Sequence, residues 1–237
     1  MDSALTLLSF GPDGWGDNIA LGALITVSLA LATLPFGLVA GFFVALAKQS
    51  GEPSLRLAGN IYTTIFRGLP ELLTLFLVYY GGQIALQALM RSLGQETTIE
   101  INAFLAGMIA LGVMFSAYAS EVFLSAFRAI PRGQYEGGYA VGLTGFQTMR
   151  LVVLPQIIRI ALPGLSNLWL NLLKDTALVS VIGLSDILRQ TGIAARVTNQ
   201  QFLFFGIACL VYLVLAIISS FGISAIERSV AQRGAPK

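Results

Sequence analysis

The chain contains no histidine, a single cysteine (Cys209) and few charges, with Asp, Glu, Lys and Arg making up 11% of 237 residues. Lacking histidine and a second cysteine, it cannot build a disulfide framework, the usual zinc sites or a histidine-based catalytic triad. A soluble domain carries about 25% charged residues. At less than half that share, polar surface is too scarce to coat a globule in water. The net charge of +2 leaves no basic face for a nucleic-acid partner. No G-x-x-x-x-G-K-[ST] phosphate loop occurs, so the chain cannot hydrolyse ATP by that route. The first eighteen residues hold Asp2, Asp13 and Asp17 but no Lys or Arg. A secretory signal needs a positive n-region, so the N-terminal tail is expected to remain in the mature protein.

What is present is apolar: 56% of residues are hydrophobic, and mean hydropathy is +0.79. A membrane-spanning helix needs roughly 20 apolar residues. Five segments meet that length, at about 19–47, 69–90, 103–127, 157–184 and 202–226. The first exceeds the hydrocarbon thickness at about 1.5 Å per residue, so it is expected to tilt, with Pro35 as a candidate kink. Five spans put the termini on opposite sides of the membrane. Lys48, Arg56, Arg67, Arg128, Arg132, Arg150, Arg159, Arg228, Arg233 and Lys237 flank one side, against Arg91, Arg189 and Arg196 on the other. The positive-inside rule then predicts an outside N-terminus and a cytoplasmic C-terminus. The expected fold is an all-α polytopic membrane protein, one transmembrane domain over 1–237, embedded in lipid. SLRLAGNIYTTIF, before the second span, suits an interfacial helix. Gly37 and Gly41 form a small-xxx-small pattern for close helix packing.

The cytoplasmic connection, 128–155, contains YEGGYAVGLTGFQTMRLVVLP. Its pattern suits two short helices, about 134–140 and 145–154, with Gly142 permitting a tight bend between them. From the residues alone it is either a connector lying on the headgroups or a docking segment. The spacing narrows this. Glu136-Gly137-Gly138, three residues, Gly142, nine residues, Val152, one residue and Leu154-Pro155 resemble the EAA loop of ABC importer permeases. Glycines replace both alanines, and valine replaces isoleucine. IFRGLPELL at 65–73, AYASEVFLSAFRAIPRGQYEGG at 117–138 and LPGLSNLWLNLLKDTALVSVIGLSDIL at 162–188 extend the likeness to the polar amino-acid permease branch, which serves histidine, arginine and opines.

The resemblance implies a non-catalytic permease in a bacterial inner membrane, one half of a translocation pathway. It implies a cytoplasmic ATPase dimer that binds ATP and Mg, leaving this chain without a cofactor. It also implies an extracytoplasmic solute-binding protein and a second, related permease, with a heterodimer preferred over a homodimer. Glu136 and Gly142 would be the main coupling positions, with Gly137 and Gly138 packed against the ATPase.

Ionisable groups inside spans are costly and usually face a partner or a water-filled path. Asn167, Asn171 and Asp175 recur every four residues beside Lys174, a polar stripe expected to face protein or water. Asp175 then either attracts a substrate ammonium or guanidinium, or pairs with Lys174 as a structural element. Leu168, Leu172 and Val179 are expected on another side. In cation-binding relatives a second carboxylate on this helix falls where this chain has Leu168. Glu71 follows Pro70, which suits either helix-start chemistry or substrate contact. Glu121 is expected to pair with Arg67, as a gate or a structural ion pair. The competing reading is an ion-coupled secondary transporter of amine-bearing solutes, disfavoured because five spans do not divide into inverted halves. A lipid-acting membrane enzyme is disfavoured by the absence of histidine.

Overall fold

The computed structural model describes residues 6–94 and 100–232, with side chains described as far as Val230. Asp2, Arg233 and Lys237 of the charge pattern lie outside those residues. The described chain is helical, and five helices are long and apolar enough to cross a membrane. We number the helices in chain order: α1 Gly16–Gln49, α2 Pro53–Gly68, α3 Glu71–Ser92, α4 Ala103–Ala129, α5 Arg132–Ala140, α6 Gly145–Ile182, α7 Ile187–Thr198 and α8 Gln201–Gln232.

Helix α4 forms the centre. Its small residues Ala106, Ala110, Ala117, Ala119 and Ala126 are almost fully buried, and α1 packs along it more extensively than any other pair of elements. The sequence permits that closeness through glycine. A Cβ on Gly37 would come within 2.6 Å of the Phe115 ring, and one on Gly41 within 2.8 Å of the Ser116 carbonyl. Without lipid-excluding hydrophobic drive, such backbone approach is what binds membrane helices. Helix α6 also packs against α4.

Two departures from helical regularity matter below. Helix α2 stops at Gly68, Leu69 and Pro70 adopt extended backbone, and α3 starts at Glu71. Proline cannot donate to the preceding turn, and it biases the residue before it away from the helical region. The second departure lies in the loop. The expected separate helix over 145–154 is instead the first part of α6. Residues Gly145–Thr148 run through a π turn, Met149–Val153, directly into Leu154–Asp175. Pro155 occupies the opening of that last section, where its missing N–H costs little. A further π turn, Leu77–Gly81, widens α3.

Helix α7 was not anticipated as an element. Asp186 caps it, accepting from the Arg189 amide at 2.9 Å, and Asn199 closes it with φ 56°.

Candidate functional site

A cavity of about 220 Å³ lies between α3, α4 and α6. Its lining brings together Glu71 from the first turn of α3, Tyr118 from α4, and Asn171 and Asp175 from α6. Leu111, Met114, Phe115, Leu168 and Leu172 supply the apolar walls. The extended Leu69–Pro70 step is what aims Glu71 inward, as the first residue of a new helix. Helix-start chemistry and cavity lining are therefore the same placement. Glu71 and Asp175 bring their carboxyl groups into this one cavity, near enough to interact.

The face of α6 differs from the expected stripe. Asn171 and Asp175 line the cavity, but Asn167 is exposed. Leu168 and Leu172, expected elsewhere, line it with them. The reason is geometric: seven residues return a helix to within about 20° of the starting face, whereas eight overshoot by about 80°. Residues 168, 171, 172 and 175 are the true i, i+3, i+4, i+7 face. Lys174 is exposed and makes no ion pair with Asp175 among the described residues.

A second polar cluster sits where α1, α2 and α4 converge. Glu121 accepts a charge-assisted hydrogen bond from Lys48 Nζ, and its Oε1 lies 3.1 Å from Arg67 Nη1. Lys48 also donates to Thr63 at 3.1 Å. Its side chain is only 7% exposed, and Gly59 leaves room for its stem. The Arg67 guanidinium lies over the Tyr118 ring, 5.7 Å from the centroid. Sequence reasoning paired Glu121 with Arg67 alone. In sequence Lys48 reads as a flanking charge, because its buried setting depends on Gly59 of another helix.

The loop helix α5 stands at the same end. Glu136 and Gly137 are exposed, as are Tyr139, Val141 and Phe146. Gly138 is not on that face. It is buried, and a Cβ there would lie 2.6 Å from Thr148 Cγ2, so it packs inward on α6 rather than toward a docking partner. Gly142 adopts φ 84°. The Leu143 amide donates to the Gly138 carbonyl and the Gly142 amide to that of Tyr139, both at 3.0 Å. This is a Schellman closure, which favours glycine at its left-handed position. Thr144 and Gln147 then form a reciprocal capping box that starts α6. Burial pushes the Tyr135 phenol above its usual range, and that ring rests near the Gln49 side chain at the end of α1.

Five spans, a cavity between them that holds two carboxyl groups and an exposed loop helix suit a membrane permease. Residues 34–232 match the family described as binding-protein-dependent transport system inner membrane component, and the chain belongs to that family. It is 43% identical over 225 residues to the nopaline transport system permease protein NocQ of Agrobacterium fabrum, covering 94% of this chain and 95% of that one. It is 39% identical over 215 residues to the histidine/lysine/arginine/ornithine permease HisQ of Salmonella typhimurium, covering 91% and 94%. A crystal structure of an amino acid ABC transporter with histidines superposes with a TM-score of 0.76 at 32% identity, covering 91% of this chain and 95% of that one. The methionine transporter MetNI shares the fold, with a TM-score of 0.70 at 20% identity. The chain is an inner-membrane permease subunit of an ABC importer.

Proposed function

We propose that this permease carries basic amino acids or opines, holding their ammonium or guanidinium group between Glu71 and Asp175. The observation that carries this reading is the pair of carboxyl groups in one cavity. Two like charges there repel, and a cation placed between them removes that repulsion. Asn171 can orient the solute by hydrogen bonding, while the apolar walls take its methylenes. Where relatives carry a second carboxylate on this helix, Leu168 stands in the same cavity. Glu71, from α3, takes over the second negative charge. Relatives named for nopaline, octopine, histidine, lysine, arginine and ornithine support the substrate class.

The N-terminus faces outward and α5 lies in the cytoplasm, where Glu136, Gly137, Tyr139, Val141 and Phe146 form the docking face for an ATPase dimer. ATP is hydrolysed there, and this chain contributes no catalytic group. A second permease completes the pathway, because one cavity opening from one helix bundle forms half of it. A heterodimer suits the single acidic position on α6. A solute-binding protein delivers the substrate.

The test is uptake by the complex in proteoliposomes. Asp175→Asn is expected to reduce transport of a cationic amino acid at least tenfold, while a neutral amino acid of similar size falls by less than twofold. Equal losses for both solutes would assign Asp175 to structure.

A further inference from the structure

The substrate cavity and the loop helix are linked by a series of contacts and chain neighbours. Glu71 lines the cavity, and Arg67 lies four residues earlier, across the Leu69–Pro70 break. Arg67 itself rests on Tyr118, whose ring is part of the cavity wall. Its other contact is Glu121, shared with Lys48. Lys48 precedes Gln49, the last residue of α1, against which Tyr135 of α5 lies. The frame around these charges is tight. Gly41 locks α1 to α4, while the Tyr62 hydroxyl lies 2.6 Å from Ser116 Oγ and ties α2 to the same turn of α4.

We propose that Arg67 senses the charge in the cavity and passes its occupancy through Glu121 and Lys48 to the end of α1 and so to α5. This rests on the reading that the cavity takes a cationic solute and that α5 meets the ATPase. The physical basis is competition for one guanidinium. In the empty cavity the negative field of Glu71 and Asp175 draws Arg67 toward the Tyr118 face. A bound cation cancels that field and repels Arg67, an effect that solvent screens only in part at this half-buried position. Arg67 then turns more fully to Glu121, which already serves Lys48. Both cations meet Glu121 through the same Oε1, so a closer Arg67 competes with Lys48 for that oxygen, the Lys48 contact loosens and the end of α1 is freed to move. The 45% exposure of the Arg67 side chain gives it room to shift, whereas buried Lys48 has none without moving its helix.

A relay of this kind responds to charge, not to shape. The test uses the full complex of this chain, its second permease and its ATPase in nanodiscs with the solute-binding protein, reading binding and ATPase stimulation by L-arginine and by its neutral isostere L-citrulline. Wild type is expected to be stimulated by L-arginine and not by L-citrulline. Arg67→Gln leaves the Lys48–Glu121 pair in place, so folding is retained. It is expected to reduce L-arginine stimulation at least about fivefold, the lower end of allosteric coupling, with L-arginine binding held within twofold. Wild-type stimulation in Arg67→Gln, with equal assembled complex, overturns the relay. Stimulation lost only in proportion to lost binding also overturns it. Absence of L-arginine binding and stimulation in the wild type overturns the underlying substrate reading instead.

Discussion

Asp186 shows what one buried residue can do between spans. It is fully buried, caps α7 through one carboxyl oxygen, and leaves Oδ2 without a hydrogen-bond partner among the described residues. Burial raises its pKa to about 6, against the lowering effect of the α7 amides. A carboxyl whose folded pKa lies above its unfolded value binds more protons when folded. Its contribution to stability is therefore present at acid pH and lost as pH climbs from about 4 through about 6. Asp186→Asn keeps the cap and removes the titration. The thermal midpoint of the detergent-solubilised wild type is expected to fall by several degrees between pH 4.5 and 7, and the variant's midpoint to change less. Equal slopes would show that Asp186 titrates alike in the folded and unfolded chain.

Gly138 is a second residue whose role is local. Glycine costs about 1 kcal/mol relative to alanine inside a helix, which argues against it on propensity alone. Contact with Thr148 explains its presence, since a Cβ would fall 2.6 Å from a methyl carbon. Gly138→Ala is expected to cut transport severalfold, and adding Thr148→Ala is expected to restore most of it. Failure of the second substitution to rescue the first would locate the need for glycine outside this contact. The spacing of the loop was readable from sequence. The inward turn of Gly138 was not, because its neighbour lies ten residues on, across a turn.

At the scale of elements, long apolar runs announced the five spans, whose ends differ from expectation by a few residues, apart from the start of α6. That exception has a physical cause: the residues over 145–154 are polar enough to resemble a surface helix, yet no break separates them from the span. Leu154-Pro155 looks like punctuation in sequence, but proline early in a helical section is well tolerated. Helix α7 was legible in principle. Asp186 as cap, with Ile187, Thr191, Ala194 and Ala195 buried at helical spacing, carried the signal, hidden between two stronger runs. The cavity was half legible. Acidic residues in spans pointed to Glu71 and Asp175, while Tyr118 and Lys48 acquire their places only through helix packing. Gly142, at φ 84°, turns the chain between α5 and α6. Gly142→Ala places a Cβ in the left-handed region at a cost of roughly 1–2 kcal/mol, re-aiming α5. Helical content by circular dichroism is expected to hold, while ATP-driven uptake falls at least fivefold. Unchanged uptake would mean that α5 tolerates either orientation.

At the scale of the molecule, the exposed faces are apolar on α1, α3 and α8, with Phe43 63%, Leu77 63% and Phe221 71% exposed, as lipid-facing or subunit-facing surfaces require. Few polar groups remain to line a complete path. One cavity with two carboxyl groups, one exposed loop helix and no ATP-binding loop fit a permease subunit of an ABC importer. The most direct measurement is affinity purification of this chain from its native membrane, in a mild detergent, with mass spectrometry of whatever accompanies it. The account predicts an ABC ATPase and a second permease of the same family, with two ATPase copies for each pair of permease chains. Recovery of the chain without an ATPase, under conditions in which other membrane complexes stay intact, would contradict it.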